Sequence, residues 1–259
     1  MSNDIRATPD AAASARLEWR VATVQEIRVE TPRARTLVLE VPQWPGHLAG
    51  QHVDIRLVAE DGYQAQRSYS IASPPDERTV SITVERLDDG EVSPYLCDVL
   101  RPGDGLEIRG PIGGYFVWHV GIGGPLLLVG GGSGIVPLMA IVRHYALGDA
   151  PNRAAVPVRV LYSARNPEDA IYRGELERLA GLPNVQVVFT FTRGAPSSWS
   201  GYRRRVDRAM LESVSWSPAA APRVYVCGPT VFVESVASSL VDLGHAPPRI
   251  RTERFGPTG

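Results

Sequence analysis

Pro125-Leu-Leu-Leu-Val-Gly-Gly-Gly-Ser-Gly-Ile-Val-Pro137 runs from a short apolar segment straight into a glycine-rich turn and then into a helical pattern. Glycines let a backbone come close to a phosphate, and the helix that follows presents its positive end to it. The turn joins a strand over 126–129 to a helix near 135–147. Further strands over 156–163, 185–190, 223–227 and 249–253 alternate with helices near 168–181, 206–214 and 231–243. Strands alternating with helices imply an α/β doubly wound parallel sheet, whose ligands sit past the carboxyl ends of the strands.

Upstream the rhythm changes. Segments 19–27, 36–41, 52–58 and 79–85 read as short strands, punctuated by Pro45-Gly46, Asp61-Gly62, Pro74-Pro75, Asp89-Gly90 and Pro102-Gly103. This pattern predicts an antiparallel Greek-key β-barrel. One helix is expected over 93–100, with Ser93 as N-cap and Pro94 at the first helical position. The chain therefore divides into a mobile tail over 1–15, a barrel domain over 16–118, a linker over 117–124 and an α/β domain over 122–259.

The composition narrows the function. The chain has 259 residues, 44% apolar, with a net charge of -1. No strong field recruits nucleic acid, and no apolar run approaches the ~20 residues of a membrane span. The sequence contains no lysine, which excludes a lysine Schiff base and a P-loop lysine. Two cysteines, Cys97 and Cys227, are too few for a four-cysteine iron–sulfur cluster and fit a reduced, cytoplasmic setting. His47, His52, His119, His144 and His245 show no metal-ligand spacing, so no metal site is expected.

Within the barrel half, Arg67-Ser-Tyr-Ser-Ile-Ala-Ser73 sets a cation beside a tyrosine and serines on one extended segment. An arginine holds a phosphate and a tyrosine face stacks on a planar ring. Together with the turn at 130–134, it suggests two nucleotide cofactors brought face to face, the apparatus for hydride transfer. Ser163-Ala-Arg165, Thr192-Arg193 and Gly201-Tyr-Arg-Arg-Arg205 follow the later strands. They offer arginines and no acid to bind a free ribose diol. Arginine suits a 2′-phosphate in geometry and charge, which favours NADP over NAD.

Six motifs in order, Arg67-x-Tyr69-Ser70, Gly90-x-x-Ser93, Gly110-Pro-x-Gly113, Gly130 to Pro137, Cys227-Gly-Pro229 and Glu253-x-Phe255, give a chain that resembles the ferredoxin–NADP reductase superfamily from about Arg16 to Phe255. The resemblance implies a flavin-binding barrel followed by a pyridine-nucleotide domain. It places Arg67 on the flavin phosphates, Tyr69 on the isoalloxazine and Ser70 beside the atom that takes the hydride. Val92 and Ser93 would receive a pyrophosphate, which means FAD. Gly130, Gly131, Gly132, Ser133 and Gly134 would hold the nicotinamide coenzyme with Ser163, Thr192, Gly228 and Pro229, and Arg165, Arg193 and one of Arg203 or Arg205 would take its 2′-phosphate, as in NADP-preferring relatives. Cys227 would face the nicotinamide, Glu253 would hydrogen-bond the serine hydroxyl and handle protons, and Phe255 would cover the flavin or anchor the C-terminus. The catalytic group is thus Ser70, Cys227 and Glu253.

Three departures stand out: no iron–sulfur domain is attached, Ser133 replaces a common threonine, and the turn is not G-x-G-x-x-G. The family implies electrons passing from NADPH through FAD to a separate ferredoxin, flavodoxin or oxygenase component, carried by a monomer. A flavin or quinone reductase with a small-molecule acceptor, and a non-catalytic flavin-binding module of a larger redox complex, are the competing readings.

Overall fold

The structure, a computed structural model, describes residues 17–148 and 156–255. The tail expected over 1–15 lies outside the described residues.

Six strands form the first sheet: β1 (Trp19–Thr31), β2 (Ala34–Glu40), β3 (His52–Val58), β4 (Gln64–Ser70), β5 (Val80–Glu85) and β6 (Gly105–Ile112). Their order is β4-β3-β6-β1-β2-β5, with every pair antiparallel. The outer strands meet through a bridge between Ile71 and Ile82, which closes the sheet into a barrel. Alternate residues such as Leu37, Leu39, Val53, Ile55, Ile82, Val84 and Ile108 fill its interior. Sequence reading did not mark β6, because Gly105, Gly110 and Pro111 weaken a strand pattern. Pairing with β1 and β3 supplies what local propensity lacks.

The helix expected over 93–100 is a π-helical turn, Tyr95–Val99. Ser93 does not cap it. Its hydroxyl instead accepts the amide of Leu87 at 3.0 Å and ties off the preceding turn.

The second half holds β7 (Leu126–Gly131), α1 (Ile135–Leu147), β8 (Val158–Ala164), α2 (Arg173–Leu179), β9 (Val185–Phe191), α3 (Arg208–Val214), β10 (Arg223–Pro229), α4 (Thr230–Asp242) and β11 (Ile250–Phe255). The strands are parallel throughout, in the order β11-β10-β7-β8-β9. Helices α1 and α2 cover one face and α3 and α4 the other. The order reverses between β7 and β10, which opens a crevice at their carboxyl ends.

Helix α2 starts five residues later than expected. Asn166 accepts the Asp169 amide at 2.8 Å to form a local turn, and Tyr172 takes a left-handed conformation with φ 59° that no continuous helix tolerates. No helix among the described residues is long and apolar enough to cross a membrane.

Candidate functional site

The crevice between β7 and β10 is built by close backbone approach. A Cβ on Gly134 would stand 2.6 Å from the Gly228 amide nitrogen, so the end of β10 rests directly on the glycine turn. Gly132 has φ 55° and nothing within 4 Å of its would-be side chain, leaving open space above the turn. Cys227, at the carboxyl end of β10, is in register with Gly130 on one side and Glu253 on the other.

The Cys227 thiol is fully buried and points its S–H toward a Glu253 carboxylate oxygen at 3.9 Å. Burial pushes this thiol well above its usual range, and the neighbouring carboxylate adds to the effect. It is a neutral thiol at physiological pH and shapes the crevice without being a nucleophile. Burial also pushes the Glu253 carboxyl up to about 7. That suits a group that takes or gives a proton near neutrality.

On the barrel side, β4 presents Arg67 to solvent, Tyr69 half-buried and Ser70 buried. Arg67 already has a partner: it donates to Glu91 at 2.8 Å, and the other Glu91 oxygen accepts the Tyr63 hydroxyl at 2.7 Å. Tyr69 packs on the barrel core, and burial raises its phenol above the ordinary value. The Ser70 hydroxyl is buried with no hydrogen-bond partner. It makes no bond to Glu253, contrary to expectation; the Glu253 carboxylate is met by Cys227 instead.

A buried hydroxyl without a partner costs about 1–3 kcal/mol, and a bound ring system with polar edge atoms would satisfy it. Among the described residues the amides of Val92 and Ser93 have no hydrogen-bond acceptor. An orphaned hydroxyl, two amides without an acceptor among the described residues, and an exposed arginine that donates to Glu91 and the Gln66 carbonyl fit an FAD molecule.

The arginines after β8 and β9 separate into two kinds. Arg203 is engaged by the protein itself. Its guanidinium donates to the carbonyls of Ala195, Pro196, Ser197 and Trp199, at 2.6 to 3.4 Å, and so shapes the 195–199 loop. Arg204 pairs with Asp207 at 2.5 Å and lies over the Tyr202 ring. Arg165, Arg193 and Arg205 are exposed, and their guanidinium groups have no partner among the described residues. The first two are adjacent, because the Arg165 carbonyl accepts the Arg193 amide at 2.8 Å. Ser163 is buried and pairs in register with Gly131 and Thr190; Thr192 bonds back to the Ala164 carbonyl at 3.0 Å. Phe255 packs on the α/β core, in register with Pro229.

Sequence reasoning missed Phe232 and Arg143. Phe232 lies against Gly131 and Gly228, where a Cβ on Gly131 would meet its ring at 2.9 Å. Arg143 reaches from α1 to the barrel. A lone arginine in the apolar stretch Ile135–Leu147 was the available signal.

Comparisons with known proteins place both halves. An oxidoreductase FAD-binding domain matches residues 21–117, and an oxidoreductase NAD-binding domain matches residues 128–238. The chain is 34% identical over 243 residues to ferredoxin–NADP reductase B of Sorangium cellulosum, covering 90% of this chain and 96% of that one. It is 34% identical over 213 residues to the glycine betaine monooxygenase reductase subunit of Pseudomonas aeruginosa, covering 81% of this chain. It spans 56% of that relative's length. A solved cytochrome P450 reductase from Amycolatopsis is 28% identical, with a TM-score of 0.81, covering 98% of this chain and 75% of that one.

Proposed function

The chain belongs to the ferredoxin–NADP reductase family, and from that premise we propose an FAD-dependent reductase that draws electrons from NADPH and passes them to a separate acceptor protein. The acceptor class is a ferredoxin, a flavodoxin or an oxygenase component. Its support is that a relative is itself a monooxygenase reductase subunit. The observation that carries the reading is the pairing of Cys227 with Glu253 directly against the glycine turn, at the switch point of a parallel sheet.

When bound, FAD supplies the exchange between two-electron and one-electron chemistry. The chain's residues do the rest. Arg67 and the amides of Val92 and Ser93 hold the flavin's phosphates. Tyr69 offers its ring face to the isoalloxazine, and Ser70 gives its hydroxyl to the flavin edge. Residues 130–134 cradle the coenzyme pyrophosphate. Arg165, Arg193 and Arg205 take the 2′-phosphate, since they are the guanidinium groups in these segments not already engaged. Cys227 and Glu253 orient the nicotinamide, and Glu253 holds or releases a proton at its carboxyl.

Anaerobic stopped-flow mixing tests this. FAD-loaded protein should bleach with NADPH, with a preference over NADH of about thirtyfold for each bidentate arginine–phosphate contact, roughly 2 kcal/mol. The bleached protein should then reduce an added ferredoxin, flavodoxin or oxygenase component. Equal use of NADH overturns the coenzyme assignment, and no bleaching with either coenzyme overturns the reductase reading.

A further inference from the structure

The seam between the domains is held differently at its two ends. At the linker, Tyr225 and Arg251 both donate to the Val117 carbonyl at 2.8 Å, and Phe116 packs edge-on against Tyr225 with ring centroids 5.2 Å apart. At the other end a cavity of about 850 Å³ opens, lined by Arg28, Thr36, Arg143, Tyr172 and Glu175 among others. None of Arg67, Ser70, Cys227 or Glu253 lines it. Buried apolar contact crosses the seam as well, with Ala34, Ala49, Ala72, Phe116 and Trp118 in one cluster with residues of α1; beside the cavity the contacts between the domains are polar.

Those polar contacts centre on Arg143 and Tyr172, with His144 beside them. Arg143 of α1 donates to the Ala72 carbonyl at 2.7 Å, forks onto Glu175 of α2 at 2.8 and 2.6 Å, and lies 4.6 Å over the Tyr172 ring. The Tyr172 hydroxyl bonds Thr83 of β5, which in turn bonds Thr36 of β2 at 2.7 Å. His144, beside Arg143, meets Asp76 at 2.8 Å.

Ala72 continues the segment that carries Tyr69 and Ser70, so the α/β domain grips the flavin motif itself. Tyr172 is held with φ 59°, a region costly for a residue with a bulky side chain. Such a conformation persists only where the surroundings over-determine it.

We propose that Arg143 and Tyr172 form a latch across the seam and are positioning residues for flavin reduction. They fix the angle at which the coenzyme domain meets the flavin motif. The proposal rests on the reductase reading above. A misplacement of about 1 Å between reacting groups can cost on the order of a hundredfold in rate, and the latch closes the seam at the edge where the cavity leaves it open.

The test uses FAD-loaded Tyr172→Phe, Arg143→Lys and the double variant. Flavin reduction should slow by about tenfold or more while NADPH affinity stays within about twofold, and the charge-transfer absorbance of the coenzyme complex should weaken. Arg143→Lys keeps the charge but not the fork. Because both residues serve one latch, the double variant should be no slower than the worse single.

In the same FAD-loaded proteins without coenzyme, hydrogen exchange across residues 70–83 should quicken, which reads the latch without turnover. Reduction within about twofold of the wild type, unchanged exchange, or losses that multiply independently would overturn the latch. If Arg143→Lys does not fold, Tyr172→Phe, which removes one oxygen, decides alone. A wild type that neither coenzyme reduces defeats the reductase reading, and exchange still judges the latch.

Discussion

The two halves of the site hold their cations in opposite ways. On the barrel, Arg67 is already paired with Glu91, and the Ser93 hydroxyl is already spent on Leu87. On the α/β side, Arg165, Arg193 and Arg205 are exposed and unpaired among the described residues, at the ends of β8 and β9 and in the segment before α3. On the barrel half the Ser70 hydroxyl and the Val92 and Ser93 amides have no partner among the described residues, while a phosphate that takes Arg67 must displace a carboxylate. The α/β half carries a local positive field that a dianion relieves. The first is suited to a resident cofactor that helps complete a domain, the second to a coenzyme that comes and goes.

The sharpest way to break the α/β half is Gly134→Ala. The new methyl would stand 2.6 Å from the Gly228 nitrogen, and backbone on both sides leaves nothing flexible to give way. Overpacking of this kind costs about 1–3 kcal/mol, and the displaced β10 end carries Cys227. Flavin reduction by NADPH should fall by on the order of a hundredfold, while the protein remains yellow because the barrel is untouched. Retention of both colour and rate would show that the turn tolerates a side chain. Loss of FAD as well would show that the two halves are not separable.

The second test divides the arginines. An Arg165→Ala, Arg193→Ala double variant should lose most of its NADPH preference, by about thirtyfold for each bidentate contact removed. Arg203→Ala should leave that preference unchanged and instead loosen the 195–199 loop, because its bonds go to carbonyls there. Steady-state kinetics with both coenzymes decides between them. A preference that moves with Arg203 and not with Arg165 and Arg193 reverses the assignment.

This division shows where sequence reading stops. The order of strands and helices was legible, because hydrophobic period and turn residues are local. So was the glycine turn. What Arg203 and Arg205 do was not, since the two are alike in sequence and differ only in how the 195–199 loop passes beneath one of them. Ser93 looks like a cap in sequence, but the turn before it brings the Leu87 amide within reach. The late start of α2 depends on Tyr172, whose left-handed backbone is held by Thr83 from 89 residues away. Two of these misses are side-chain bonds within a turn or loop, and the third is a contact from the other domain; in each a specific bond overrides the local preference.

A third, smaller effect concerns protons, which the permanently charged arginines cannot supply. Glu253 has its carboxyl raised to about 7 by burial. The folded protein therefore keeps this proton longer than the unfolded chain. The stabilisation is fully present below the ordinary carboxylate range and is lost as pH rises through about 7. Relative to Glu253→Gln, the wild type should lose stability between about pH 5 and about pH 8, by at most about 3 kcal/mol. Thermal unfolding of both proteins across that range measures it. A constant difference in Tm would mean that Glu253 is ionised throughout.

The smallest expected effect probes the barrel half directly. In Glu91→Gln the residue keeps its shape, but only one of the two head atoms that now accept from Tyr63 and Arg67 remains an acceptor, and the charge that competes with a phosphate for the Arg67 guanidinium is gone. The pair is about half exposed on both sides, at 54% and 48%, so solvent already screens it. Exposed ion pairs contribute little. Release of FAD should therefore slow only a few-fold in Glu91→Gln, and the gap from wild type should narrow as salt screens the pair. Flavin fluorescence during dilution at low and high ionic strength reads both. Faster release in the variant would mean that Glu91 aims Arg67 at the phosphate, and the barrel half would then be built around its paired cation.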